Sequence, residues 1–313
     1  MLQIAIIFLS LFILEVLYFK VADYFNIIDK PSERGSSKFI TLRGGGIIFY
    51  ISALIWFIFY GREYWLFFTG LSLVSILSFV DDIHSLSARL RLPLQFIGML
   101  LLLSQLILGN NSIIDINSSG FFTIVLILVL GLVICTGAMN VFNFMDGING
   151  ITGGYSLVVL AFILYTLNTN ILFEGNSVLP IVCNLVKMIL LADVVFCLFN
   201  FRKRAKCFAG DVGSVSIAFI ILFTLGFIIV NGVDGCLTII HRLMLHEDIS
   251  QPHRKHLFQI MANELKIPHV VVSLVYMFVQ MLCCFWYIIN PNYLTLLLQI
   301  LILSIAYILF MRK

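Results

Sequence analysis

The chain has 313 residues, of which 61% are hydrophobic and only 11% charged, with a formal net charge of +3 and a mean hydropathy of +1.08. A soluble domain of this length needs far more polar surface, so the composition excludes a soluble enzyme or nucleic-acid binder and requires an integral membrane protein. Apolar runs of about 17–23 residues match ~30 Å of hydrocarbon at 1.5 Å per residue, and strand-type alternation is absent, so helices rather than a barrel satisfy the backbone in lipid.

The first apolar segment lacks a basic region before it. Its first cation, Lys20, follows the stretch, and no small-residue cleavage site is evident, so it reads as a retained span rather than a signal peptide. Spans are predicted near 2–19, 45–60, 64–80, 92–108, 121–139, 151–167, 178–199, 215–232, 268–289 and 292–311. No internal repeat or soluble segment interrupts them, so residues 1–313 read as one membrane domain. The fold class is all-α: a polytopic bundle of about 10–11 transmembrane helices.

Charge orients the bundle. Residues 20–43 hold five cations and residues 202–206 hold four, whereas the connections 109–120 and 168–176 carry no lysine or arginine. With the N-terminus outside, Arg89, Arg91 and the 202–206 run fall on the cytoplasmic side. Between Ser214 and Arg242 lie 27 residues, enough for one ordinary span. One span would strand residues 253–259 outside, and Arg312 and Lys313 also favour the inside. An eleventh, irregular crossing within 232–245 is therefore predicted, leaving the active-site loops cytoplasmic.

Five polar islands hold most of the residues capable of chemistry. In the first, Arg43 precedes Gly44, Gly45 and Gly46, which suits either a phosphate-facing helix start or close helix packing. Next, Asp81 and Asp82 end an apolar span. As neighbours about 100° apart on a helix they face one cavity and repel unless a cation lies near, although an interfacial stop explains them equally. In the run 140–150, Asn140 and Asn143 share a helix face and are placed to bond one ligand, and Asp146 follows among glycines that let backbone approach closely. The bland alternative, a polar turn, accounts for the glycines but not the amides.

Asp211 lies between Gly210 and Gly213 directly before a span, which suits a hydrated Mg²⁺ bridging phosphates at a helix start. His253, Arg254 and His256 bring cations and donors suited to a pyrophosphate; no third ligand at zinc spacing accompanies the histidines. The seven cysteines lie mostly inside apolar runs and read as buried hydrophobes, not a disulfide framework. Lys187 and Asp193, inside the seventh span, are expected to find partners within the bundle. A transporter would more often place its ionisable groups near the midplane in repeated halves, so their gathering at one face favours an enzyme.

Taken in order, RGGG at Arg43, DD at Asp81, NVFNFMDGING at Asn140, GDVGS at Gly210 and HRKHLFQ at His253 resemble the bacterial polyprenyl-phosphate N-acetylhexosamine-1-phosphate transferases, over most of the chain from Asp29 to Gln259. The resemblance implies transfer of a sugar 1-phosphate from a UDP-N-acetylhexosamine to undecaprenyl phosphate with release of UMP. It also implies a multi-pass protein of the bacterial inner membrane whose site faces the cytoplasm, with membrane lipid around it, a homodimer open to it and no nucleic acid. Asp81, Asp82 and Asp211 would be catalytic. Asp211, Asn143 and Asp82 would hold Mg²⁺, with Mn²⁺ as the alternative. Arg43, Asn140, Asn143, Asp146, His253, Arg254 and His256 would bind substrate.

The HRKH form resembles the small-aminosugar branch more than the muramoyl-pentapeptide branch. Two departures stand out: Asn149 occupies a position where relatives often carry aspartate, and the segment between GDVGS and HRKH is short. Direct attack by the lipid phosphate is the working mechanism, with a covalent phospho-aspartate on Asp81 or Asp82 as the alternative.

Overall fold

The computed structural model describes residues 2–30, 39–108, 121–169, 179–224, 228–248 and 253–311. The cation-free connections and the terminal Arg312 and Lys313 used in the orientation argument lie largely outside this set. The described chain is helical apart from a two-residue antiparallel pair, β1 (Ile28–Asp29) and β2 (Thr41–Leu42). Its helices are α1 (Leu2–Tyr24), α2 (Ile47–Phe59), α3 (Trp65–Ile83), α4 (Ala88–Leu108), α5 (Phe121–Phe144), α6 (Ile151–Thr169), α7 (Leu179–Asn200), α8 (Gly210–Phe223), α9 (Ile229–Met244), α10 (Leu257–Gln259), α11 (His269–Ile289) and α12 (Tyr293–Met311). A π-turn (Ile260–Glu264) follows α10. Among the described residues, eight helices are long and apolar enough to cross a membrane.

The shorter α8 organises the rest. Nearly every residue of its 14 is buried, and it packs on α2, α3 and α5. Because VSIAFIILF is apolar all round, it has no face suited to water, the pattern of a helix enclosed by others. At 14 residues it spans only about 21 Å, less than the ~30 Å hydrocarbon core, so the bundle around it must bridge the remainder.

Its first turn lies against the start of α2, where glycine is required. A Cβ on Gly46 would stand 2.3 Å from the Gly213 Cα, and one on Gly213 would stand 2.6 Å from the Gly46 Cα. Gly45 and Gly46 donate their N–H groups to the Phe208 and Ala209 carbonyls at 2.9 and 3.0 Å, and the Phe208 N–H reaches the Leu42 carbonyl at 2.8 Å. The glycines of the first island therefore serve close packing, and the amides of Gly45 and Gly46 are spent on backbone partners rather than offered to a phosphate.

The predicted eighth span, 215–232, is corrected. It ends at Phe223, and a second helix, α9, runs from Ile229 to Met244 where only an irregular crossing was expected. Hydropathy misses α9 because one of its faces is polar: Asn231, Asp234, Thr238 and Arg242 recur at helical spacing and are all buried, while Ile240, Leu243 and Met244 are exposed on the other side. With α8 and α9 as a pair of short helices, the HRKH segment returns to the end of the bundle that carries the other islands. There, Phe258 packs against Gly147, where an added Cβ would meet its ring at 2.9 Å.

All seven cysteines are free, as expected. Asp193 is buried, with one oxygen 3.8 Å from the Cys197 thiol and the other without a partner among the described residues, while Lys187 is exposed. The two do not pair inside the bundle.

The glycine contact makes a direct prediction. Gly46→Ala forces backbone apart at the α2–α8 crossing and should cost about 1–3 kcal/mol, as overpacking does. Gly232→Ala adds its Cβ to open space within a helix, and should be neutral or stabilise by about 0.4–1 kcal/mol. Thermal unfolding in detergent distinguishes them; equal melting temperatures for both variants would refute the packing role.

Candidate active site

Three chain segments meet at the first turn of α8, and one carboxylate joins them. Asp82, near the end of α3, accepts the backbone N–H of Asp211 on one oxygen at 2.8 Å and that of Val212 on the other at 2.9 Å. These are free N–H groups of a helix start, which carry partial positive charge and favour an anion. The Arg43 Nε reaches the same carboxylate at 2.7 Å. Gly210 adopts φ +71°, and a Cβ there would stand 2.6 Å from an Asp82 oxygen, so glycine at this position leaves room for the cap.

Held this way, Asp211 projects between two guanidiniums, 3.6 Å from Arg43 Nη2 and 3.7 Å from Arg91 Nη1. Arg91 also bonds Asp81 at 2.7 Å, and Asp81 receives the Leu86 N–H. The Asp81 and Asp211 carboxyl groups are themselves within hydrogen-bonding reach. Three carboxyl groups thus share two arginines, with Asp81 and Asp211 placed to share a proton when no cation lies between them. The Asp82 side chain is fully buried, whereas that of Asp211 is 21% exposed. Asp211 is the group that meets solvent.

Beside it lies a cleft lined by Arg43, Asn143, Asp146, Asn149, Phe208 and Asp211, among others. Asp146 sits in the turn between α5 and α6 and accepts the Thr152 hydroxyl at 2.6 Å. Desolvation raises its pKa from 3.8 to about 6, against the lowering effect of the Thr152 bond. Asn149, the departure from aspartate, donates its amide to the Arg202 and Lys203 carbonyls at 3.0 and 3.3 Å, while its own carbonyl accepts the Ser273 hydroxyl. An aspartate carboxylate has no N–H for those two carbonyls, so amide chemistry here ties the turn to the segment after α7.

The remaining candidates separate. Asn140 does not line this cleft: its side-chain N–H₂ donates to Gln95 Oε1 at 3.0 Å and to the Thr136 carbonyl at 2.9 Å, while Asn143 does line it. His253 and Arg254 line a different cleft together with Arg242 and Lys255. Burial, then the neighbouring His256 and Arg242, push the His253 pKa down to about 4, so it enters as a neutral ring rather than the expected cation. His256 is buried beside Asp234.

Arg91 and His269, which lines the first cleft, were not singled out from sequence. Arg91 had served only as a positive-inside marker. Its place ten and nine residues after Asp81 and Asp82, one turn into the next helix, was the available signal.

No three His, Cys, Asp or Glu residues among those described are grouped to hold a metal on their own. Mg²⁺ does not require such a cage, since it commonly takes one or two protein oxygens and completes its shell with water and substrate phosphates. The partly exposed Asp211 carboxyl oxygens, with the Asn143 amide lining the same cleft, fit that demand. Asp82 fits it poorly, because both its oxygens already accept backbone amides.

Two predictions follow from this division of labour. Asp82→Asn places an amide N–H₂ against backbone N–H groups and should destabilise the fold by roughly 1–3 kcal/mol, whereas Asp211→Asn should leave thermal stability nearly unchanged. Equal effects would contradict the capping role. For Asp146, a pKa raised from 3.8 to about 6 gives a contribution to stability that is full below pH 3.8 and is lost as pH rises through 6. Asp146→Asn should remove that decline, as read from unfolding midpoints between pH 4 and 7.

A family model described as glycosyl transferase family 4 matches residues 64–233, just over half of the chain. Among curated relatives, an undecaprenyl-phosphate alpha-N-acetylglucosaminyl 1-phosphate transferase of Escherichia coli K12 is 29% identical over 235 residues, covering 69% of this chain and 60% of the relative. A probable undecaprenyl-phosphate N-acetylglucosaminyl 1-phosphate transferase of Bacillus subtilis is 24% identical over 270 residues, covering 80% and 73%. A phospho-N-acetylmuramoyl-pentapeptide-transferase of Latilactobacillus sakei is 28% identical over 236 residues, covering 68% and 69%. The chain thus spans about 60% of the length of the Escherichia coli relative.

Proposed function

This chain belongs to glycosyl transferase family 4, and we propose that it transfers an N-acetylhexosamine 1-phosphate from a UDP-sugar to undecaprenyl phosphate, releasing UMP and starting a lipid-linked surface glycan. The observation that carries the reading is Asp211, partly exposed at a helix start between Arg43 and Arg91, on a cleft shared with Asn143 and Asp146. An oxygen of the lipid phosphate attacks the sugar-bearing phosphorus of the donor. The bond from that phosphorus to the bridging oxygen breaks, and UMP leaves with the electron pair.

A phosphate monoester is largely dianionic near neutrality, with a second pKa of about 6, so the step needs charge relief and alignment more than a strong base. Arg43 and Arg91 supply fixed positive charge beside the reacting groups, where preorganised electrostatics count most. Asp211 and Asn143 would hold Mg²⁺, or Mn²⁺ in its place, which when bound neutralises developing charge on the phosphates. Asp82 acts through the first turn of α8 and positions Asp211. A covalent phospho-aspartate on Asp82 is disfavoured because its side chain is fully buried, and Asp81 is engaged by Arg91 and the Leu86 N–H. Direct attack is the simpler course.

The cations of residues 202–206 belong to the same end of the bundle as this cleft, since Lys203 and Arg204 line a pocket that shares Asn149, Phe208 and His269 with it. Under the positive-inside rule that end is cytoplasmic, in a bacterial inner membrane. The HRKH form of the last island favours a small amino sugar over the muramoyl-pentapeptide donor.

The test is UMP release from membranes carrying the protein, undecaprenyl phosphate, Mg²⁺ and a panel of UDP-N-acetylhexosamines. Release should require the lipid and the divalent ion. Asp211→Asn should lower it by on the order of 10²–10³, the loss expected for one preorganised electrostatic group. Folded protein that releases no lipid-dependent UMP from any donor would overturn the reading.

A further inference from the structure

One buried cluster lies outside the carboxylate junction and is not used by the mechanism above. Asp234, on the polar face of α9, is 3% exposed and is surrounded by donors. One of its oxygens accepts the Tyr276 hydroxyl at 2.6 Å; the other accepts the Leu257 backbone N–H and the Thr238 hydroxyl, both at 3.1 Å, and lies 3.4 Å from the His256 Nδ1. Tyr307 extends the cluster through Thr238 at 2.8 Å. Four helical segments, α9, α10, α11 and α12, therefore converge on one carboxylate.

His256 is 2% exposed, and its ring lies between two others: Phe258 stacks at 5.7 Å and His253 sits at 4.9 Å. Phe258 touches Gly147 on the turn that borders the Asp211 cleft, while His253 lines the second cleft. The ring itself lines neither cleft; it is sealed behind side chains that border both. Its Nε2 is buried and has no hydrogen-bond partner among the described residues. A buried ring nitrogen left unsatisfied is costly, and such an atom calls for an explanation.

Asp234 provides one. Two groups approach Nδ1: the Asp234 carboxylate, which repels a lone pair there and attracts a proton, and the Gln259 backbone N–H at the start of α10, which favours the lone pair. The full charge of the carboxylate outweighs the amide dipole, keeps the proton on Nδ1 and leaves Nε2 as the atom available to a partner. We propose that Asp234 is a positioning residue of the transferase: it fixes the tautomer and orientation of His256 so that Nε2 is presented to a polar group of the bound nucleotide-sugar. The role of Nε2 rests on the function proposed above; the tautomer does not. The polar face of α9 then has a purpose that spanning a membrane does not explain.

The experiment uses the full chain, labelled with ¹⁵N-histidine, in lipid nanodiscs. The ¹⁵N signals of His256, assigned by their loss in His256→Gln, should show a protonated Nδ1 and an unprotonated Nε2 when the ring is neutral. Asp234→Asn, whose amide can also donate, should release that tautomer and lower kcat for UMP release by roughly 10–100-fold, the usual range for loss of a group that orients a histidine ligand, with KM little changed. Tyr276→Phe removes another partner of the same carboxylate and controls for general loosening; it should keep both the tautomer and the rate. A wild-type ring protonated on Nε2, or Asp234→Asn with unchanged tautomer and rate, would overturn the proposal. So would equal rate losses in Asp234→Asn and Tyr276→Phe with the tautomer unmoved. Wild-type protein that releases no UMP would count against the transferase reading, while the tautomer in the same sample still decides the pair.

Discussion

The two amide bonds to Asp82 carry the architecture of the site. A carboxylate at the end of α3 caps the first turn of α8 and is neutralised from the start of α2 by Arg43. This satisfies N–H groups that would otherwise be orphaned in a low-dielectric interior, where an unpaired polar group is expensive. It also sets where Asp211 points, because the residue that donates its N–H to Asp82 is the residue whose side chain meets the cleft. Stability and chemistry are therefore coupled through one helix turn. Gly46, Gly210 and Gly213 serve this junction by letting backbones approach where any Cβ would intrude.

The electrostatic balance has the same logic. Two arginines among three carboxyl groups hold groups of both signs at fixed positions. A site that handled only neutral groups would gain nothing from such an arrangement, whereas one that binds phosphates and a divalent cation needs both signs at fixed positions. The buried Asp234 cluster is a second polar core, separate in sequence, built on a helix whose hydropathy hides it. The two meet through the contact of Phe258 with Gly147, which brings the last island to the turn that carries Asp146.

Several residues exchanged roles once their partners were visible. Asp82 and Asp211 look alike in sequence, each a carboxylate at a helix boundary, yet one is sealed and capping while the other reaches the cleft. Asn140 and Asn143 share a helix face, but the Gln95 side chain claims the first and leaves the second to the cleft. Asn149 read as a missing charge; it is an amide chosen for two carbonyls it can bond and aspartate cannot.

Composition and hydropathy determined the class, the rough placement of the eight long helices, and the islands in which chemistry would be found, because lipid admits few alternatives for a backbone that must bond to itself. Motif order pointed to the family for the same reason that it pointed to the islands: polar residues in such a chain are rare and costly. Only the tertiary structure decided which carboxylate caps and which is free, that Arg91 belongs to the site, and that α9 exists as a helix with a buried polar face. Those outcomes depend on partners distant in sequence, such as Asp82 with Val212 or Asp234 with Tyr276, and periodicity along one segment carries no information about what another segment will bring to it.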